Sequence, residues 1–206
     1  HLEAGAKKVV ISAPAKDDQT NGFVRGVNCQ SYDGEEIIDN ASCTTNSTAP
    51  VVRVMNQVFG VEKAMLSTIH SYTSSQNLQD GPHKDLRRAR AAAENIVPTT
   101  TGAAKATTEI IPQLKGSFDG VAFRVPTITV SLTDLTFVLK ESVTVEEVNE
   151  ELSKASEQEL KGVLDVTEES LVSSDFIQNP NSSTVDLQMT RVVDGDLVKI
   201  VAWYDN

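Results

Sequence analysis

Ala64-Met-Leu-Ser-Thr-Ile-His-Ser-Tyr-Thr73 is the stretch on which the fold turns. It is rich in β-formers and free of Gly and Pro, so it predicts a strand. No regular strand–helix alternation follows it. Gly120-Val-Ala-Phe-Arg-Val-Pro126 and Ile128 to Lys140 also read as strands, as do segments near 162–167, 171–176, 183–193 and 197–204. Asp194-Gly195 supplies a hairpin turn between the last two. Helices are few. One opens at Thr99-Thr-Thr-Gly-Ala-Ala-Lys105 and ends at Pro112, and another runs from the capping box Thr144-Val-Glu-Glu147 to about Gln158. Strands that succeed one another with few helices between them predict an α+β domain: a mixed, largely antiparallel sheet covered by helices. Residues 74–98 show little apolar periodicity, and a connection of that length is usually functional or interfacial.

Upstream, Lys8-Val-Val-Ile-Ser-Ala13 is a continuous apolar run directly after a helix tail, which is how the last strand of a parallel sheet reads. Pro14 to Gly22 reads as a loop. Phe23-Val-Arg-Gly-Val-Asn28 and Glu35-Glu-Ile-Ile-Asp39 read as short strands around a Tyr32-Asp-Gly34 turn. Then comes Asn40-Ala-Ser-Cys-Thr-Thr-Asn-Ser-Thr-Ala-Pro50, ahead of the apolar-periodic run Val51 to Phe59. Ser42 is the expected helix N-cap. Cys43 then sits at the positive end of the helix dipole, which favours thiolate over thiol. Pro50 opposes the carbonyl of Asn46, so a kinked or irregular first turn is expected. Both ends of the chain read as interrupted elements, and an internal segment of a longer protein is expected.

A net charge of −11 argues against binding to nucleic acid or anionic membranes. No apolar run approaches the ~20 residues of a membrane span. The two cysteines, Cys29 and Cys43, show neither disulfide-scaffold nor metal-like spacing, and no metal site is expected. Free thiols fit a reducing cytoplasm.

A reactive Cys43 needs a base, and the chain offers His1, His70 and His83. His70 shares a strand face with Leu66, Thr68 and Tyr72. It is either a core histidine bonded to a carbonyl or the general base of a Cys/His pair. Arg124 stands among apolar neighbours and needs an anion: a structural salt bridge, or the phosphate or carboxylate of a ligand. Thr99-Thr-Thr-Gly102 at a helix start can also receive an anion. Arg87, Arg88 and Arg90 read by default as a solvated or interface face. Together these residues describe an enzyme that forms a thiohemiacetal or thioester from an anionic substrate.

At Ala41-Ser-Cys-Thr-Thr-Asn46 the chain resembles the glyceraldehyde-3-phosphate dehydrogenase family. The likeness continues through Thr68–Thr73, His83–Asn95, Pro98–Lys105, Arg124–Thr127, Leu160–Gly162, Leu171–Phe176 and Trp203–Asn206. The resemblance implies that Cys43 attacks the aldehyde of glyceraldehyde 3-phosphate and that His70 acts as base and steadies the oxyanion. Hydride passes to NAD, with NADP left open; Gly81-Pro82 leans toward NAD. Inorganic phosphate then cleaves the thioester to 1,3-bisphosphoglycerate. Thr73 and Arg124 match the site for the substrate's phosphate. Ser42, Thr44, Thr101 and Gly102 match the inorganic-phosphate region, and Asn206 the residue that holds the nicotinamide carboxamide. Residues 74 to about 96 match a loop that lies against a neighbouring subunit's cofactor in a cytoplasmic homotetramer.

On the same resemblance, residues 1–41 are the end of a Rossmann-type NAD-binding domain with its last parallel strand, and residues 42–206 are the catalytic domain without its final helix. The isolated segment is expected to be inactive. Ser47 stands where the family often has a second cysteine, and Thr73-Ser-Ser-Gln76 replaces the commoner Thr-Asn-Asp-Gln. Two alternatives stay open: erythrose-4-phosphate dehydrogenase, and a non-catalytic binding or assembly fragment.

Overall fold

The computed structural model describes residues 1–17 and 19–206. Two short strands, β1 (Val9–Ile11) and β2 (Ile37–Asp39), pair in parallel. Phe23–Asn28 is not a strand. Gly26 takes φ +76°, and the Asn28 side chain accepts from Val24 N (2.8 Å) and donates to the Gly22 carbonyl (2.9 Å). A side chain that folds back on its own backbone wins over alternation here.

α1 (Cys43–Val58) follows, with Ser42 Oγ accepting from Thr45 N at 3.0 Å. The expected first-turn irregularity is absent, and the helix runs unbroken through Pro50. The proline removes one backbone bond, a loss of about 3 kcal/mol. Val51, Val52, Val54 and Met55 are buried immediately beyond it. At about 1.5–3 kcal/mol for each such side chain, packing outweighs the missing bond.

The main sheet is built from β3 (Val61–Ser71), β4 (Val97–Thr100), β5 (Phe118–Val125), β6 (Ser131–Leu139), β7 (Leu164–Thr167), β8 (Ser183–Asp186), β9 (Arg191–Val193) and β10 (Leu197–Tyr204). Its order is β4-β5-β3-β6-β10-β8-β7, with β9 also on β10. β3 with β5 and β7 with β8 are parallel, and the other pairs are antiparallel. This is the mixed, mostly antiparallel α+β sheet that the succession of strands predicts. α2 (Ala103–Ile110) and α3 (Val145–Glu157) pack against α1, which lies on β6, β8 and β10. The capping box at Thr144 and Glu147 is formed.

Three segments differ from expectation. Val97–Thr100 is a strand rather than the lead-in to α2, and its Pro98 is tolerated because β4 is an edge strand. Residues 171–176 carry a 3-10 turn, with Asp175 accepting from Val172 N at 2.8 Å. The stretch 183–193 is broken by another such turn at Leu187–Met189.

Along β6 alternate residues are buried, from Ser131 through Thr133, Leu135 and Phe137 to Leu139. They share the core with Leu66, Val198 and Ile200 of the sheet, Met55 of α1 and Leu152 of α3. His70 lies on the same face of β3 as Leu66 and Thr68 and is therefore turned toward the start of α1. Among the described residues no helix is long and apolar enough to cross a membrane.

Candidate active site

The entry to α1 is set by Asp39. Its buried carboxylate accepts from Ala41 N (2.7 Å) and Ala15 N (2.9 Å). That holds Ala41 at φ +54° and delivers Ser42 to the N-cap. Cys43, the first helical residue, is exposed, and its Sγ lies 3.5 Å from His70 Nε2.

The opposite ring nitrogen, Nδ1, is 2.7 Å from the Ser71 carbonyl. Two groups meet Nδ1: the Ser71 carbonyl can only accept and Arg124 Nη1 can only donate, and in the tautomer that donates to Ser71 the Nε2 lone pair faces the thiol. Burial pushes the His70 pKa down to about 4, helped by the nearby Arg124 charge and opposed by the bond to Ser71. The imidazole is thus neutral near pH 7, the state a base needs.

The depressed value has a signed consequence for stability. Between the ordinary histidine value of 6.5 and about 4, the unfolded chain binds a proton that the folded chain refuses. Stability present above pH 6.5 is therefore lost as pH falls toward 4, by on the order of 2–3 kcal/mol. Urea midpoints at pH 7 and pH 4.5 should diverge in the parent and converge in His70→Asn. An equal drop in both would assign the acid sensitivity elsewhere.

Arg124 reaches the pair by strand register, because His70 and Arg124 are directly opposed on β3 and β5. Its Nη1 donates to the Ser71 carbonyl (2.9 Å) and lies against His70 Nδ1. The alternative of a structural salt bridge does not hold: Arg124 makes no ion pair among the described residues, and its buried Nε has no partner. Burial lowers its pKa, and the charge of Arg88 lowers it further. Arg88, held by Thr99 Oγ1 at 3.0 Å, is therefore a second guanidinium on this side of the site. The sequence reads it as part of a solvated or interface face; its side chain is three-quarters buried, so the solvated reading does not hold for Arg88. Arg88 also reaches Asp85 at 3.5 Å, whereas Arg124 is a partly buried guanidinium with no ion pair among the described residues, an arrangement that can receive an anion.

Asn206 lies two residues past the end of β10, and its Oδ1 accepts from both Ser71 Oγ (2.8 Å) and Ser131 Oγ (2.7 Å). Thr44 Oγ1 is engaged by the Tyr204 hydroxyl at 2.9 Å. Thr101 Oγ1 accepts from Ala103 N (3.1 Å), and Gly102 is the N-cap of α2. Thr73 Oγ1 bonds to Ser75 Oγ at 2.9 Å. Thr73, Thr101 and Gly102 make no hydrogen bond to Cys43, His70 or Arg124 among the described residues. Tyr204 was missed by sequence reading. The signal was a tyrosine closing an apolar strand, whose hydroxyl, once buried, needs a partner. Among the described residues no three His, Cys, Asp or Glu side chains converge on a common point.

The family profile described as glyceraldehyde 3-phosphate dehydrogenase, C-terminal domain, matches residues 42–206. The whole chain is 55% identical to glyceraldehyde-3-phosphate dehydrogenase 1 of Bacillus subtilis, covering 62% of that protein. It is 56% identical to glyceraldehyde-3-phosphate dehydrogenase of Geobacillus stearothermophilus over 62% of its length, and 55% identical to that of Mycolicibacterium smegmatis over 60%. The chain therefore spans about three-fifths of the length of these relatives. A profile match over most of the chain, an identity above half throughout, and an exposed thiol set against a neutral histidine agree: the chain belongs to the glyceraldehyde-3-phosphate dehydrogenase family.

Proposed function

We propose that residues 42–206 are the catalytic half of an enzyme that converts glyceraldehyde 3-phosphate and inorganic phosphate to 1,3-bisphosphoglycerate, and that residues 1–41 close its NAD-binding half. The observation that carries this reading is the 3.5 Å approach of Cys43 Sγ to the bare Nε2 of a neutral His70. His70 takes the thiol proton as sulfur adds to the aldehyde carbon. The imidazolium so formed donates to the oxyanion of the thiohemiacetal. Arg124 and Thr73 hold the substrate's phosphate. Ser42, Thr44, Thr101 and Gly102 receive the inorganic phosphate that cleaves the thioester.

The residues present fit a nicotinamide. Asn206 has its oxygen fixed by two serine hydroxyls, and its NH2 group makes no hydrogen bond among the described residues, so it can donate to a carboxamide oxygen. When bound, NAD supplies the hydride acceptor; NADP is the other candidate. A cytoplasmic homotetramer, with residues 74 to about 96 against a neighbouring subunit, completes the proposal.

The test joins these 206 residues to the cofactor half of the Bacillus subtilis relative and follows NAD reduction. Glyceraldehyde 3-phosphate should be turned over only with inorganic phosphate, and at least about tenfold better than erythrose 4-phosphate. The 206 residues alone should give no NAD reduction. Preference for erythrose 4-phosphate with indifference to phosphate overturns the reading.

A further inference from the structure

Tyr204 is buried at the end of β10, and its hydroxyl touches two different elements. It lies 2.9 Å from Thr44 Oγ1 on α1 and 2.9 Å from Thr68 Oγ1 on β3. Thr44 is the residue after Cys43. Thr68 is two residues before His70, on the same face of the strand. The ring meets His70 edge-on, with centroids 5.9 Å apart and planes at 73°. Within one turn of Cys43, the other side-chain ties from α1 to the sheet among the described residues are the Cys43–His70 contact itself and Ser47 Oγ to Thr133 and Ser183, both 3.4 Å.

We propose that Tyr204 is a positioning residue for the Cys43–His70 pair: by bonding Thr44 and Thr68 at once, its hydroxyl sets the distance between the helix that carries the thiol and the strand that carries the imidazole. This rests on the reading of Cys43 and His70 as nucleophile and base. One phenol proton cannot serve two acceptors, so at least one threonine donates to the tyrosine oxygen. Burial pushes the tyrosine pKa up, so the hydroxyl stays protonated and the clamp does not titrate over the working range. Proton transfer needs the two heavy atoms within hydrogen-bond reach, and the sulfur–nitrogen distance is already at the long end of that reach. Small slippage of α1 along the sheet therefore uncouples the pair while the fold survives.

The test reads Cys43 alone, in a Cys29→Ser background because Cys29 is also free and exposed. The rate of alkylation by iodoacetamide is measured from pH 5 to 10 for the parent, Tyr204→Phe, Thr68→Val, His70→Asn and the double variant Tyr204→Phe/His70→Asn. Tyr204→Phe should slow alkylation at neutral pH by about 3–10-fold, the scale of one lost hydrogen bond, and move its pH profile toward that of His70→Asn. Thr68→Val should do the same to a smaller degree, and it decides the matter if Tyr204→Phe does not fold. In the double variant the phenylalanine should add nothing, whereas a general structural weakening would still add its effect. Profiles of Tyr204→Phe and Thr68→Val that superimpose on the parent, with His70→Asn displaced, overturn the positioning role alone. A His70→Asn profile equal to the parent overturns the Cys–His pair and the clamp together.

Discussion

In the protein joined to the cofactor half of the Bacillus subtilis relative, replacing His70 by asparagine should lower turnover of glyceraldehyde 3-phosphate by about 10²–10⁴-fold, the usual worth of a positioned general base. Asparagine is close to histidine in width and still offers a donor to the Ser71 carbonyl, so the slot at the end of β3 stays filled. What it lacks is a lone pair basic enough to take the thiol proton. Because that transfer belongs to the transition state, kcat and kcat/KM should fall together, with KM little changed. The variant also removes the group whose burial depresses its own pKa, so the stability that the parent loses between pH 6.5 and about 4 should be retained. A loss of activity under about threefold, far below what a general base supplies, would leave Cys43 without the partner assigned to it.

Arg124→Leu should lower kcat/KM for the phosphorylated aldehyde by about 10²–10³-fold, as expected for losing two charge-assisted hydrogen bonds to a phosphate. The same variant should fold at least as well as the parent. Among the described residues the partly buried guanidinium has no ion pair and its Nε no partner, and Arg88 is near enough to depress its pKa. Removing such a charge relieves desolvation and like-charge repulsion. Activity and thermal stability should therefore move in opposite directions. Unphosphorylated glyceraldehyde supplies the control, since its poorer turnover should be nearly the same in both proteins. An equal loss on both aldehydes would make Arg124 a support for His70, which it touches through Nη1, rather than a phosphate ligand.

Much of this was legible in the chain because the signals were local. The Thr144–Glu147 capping box, the Ser42 N-cap and the Asp194-Gly195 turn each depend on residues within one turn of each other. The two caps satisfy backbone groups with their own side chains, and the turn takes positive φ at Asp194 (+52°) and Gly195 (+82°), whatever the rest of the protein does. The errors were local competitions read the wrong way. Phe23–Asn28 alternates like a strand, but the Asn28 amide closes a turn on it, and Asp175 does the same for the segment around residue 175. Val97–Thr100 falls where residues 74–98 show little apolar periodicity and Thr99 reads as the opening of a helix, and it forms a strand only at the sheet's edge, where Pro98 is tolerated.

In the site, Cys43 and His70 could be named by chemical type. Arg124 drew notice as a charge among apolar neighbours. Its registry with His70 comes from the parallel β3–β5 pairing, which no local pattern encodes. Tyr204 had only the weak local signal of a tyrosine closing an apolar strand, and the place of Arg88 beside Arg124 depends on a charge 36 positions away.

The sequence separations in the site have a consequence for when it comes into being. Tyr204 meets Thr44 across 160 positions and Thr68 across 136, and Asn206 meets Ser71 across 135. β10 also lies between β6 and β8, so it enters the middle of the sheet rather than its edge. Contacts this distant are formed only after the chain between them has been closed into a loop, which makes them slow and late. On a ribosome α1 and β3 emerge long before β10, so the thiol and the imidazole wait without the strand that locks their elements together. On the proposed positioning role of Tyr204, coupling of Cys43 to His70 waits for completion of the sheet.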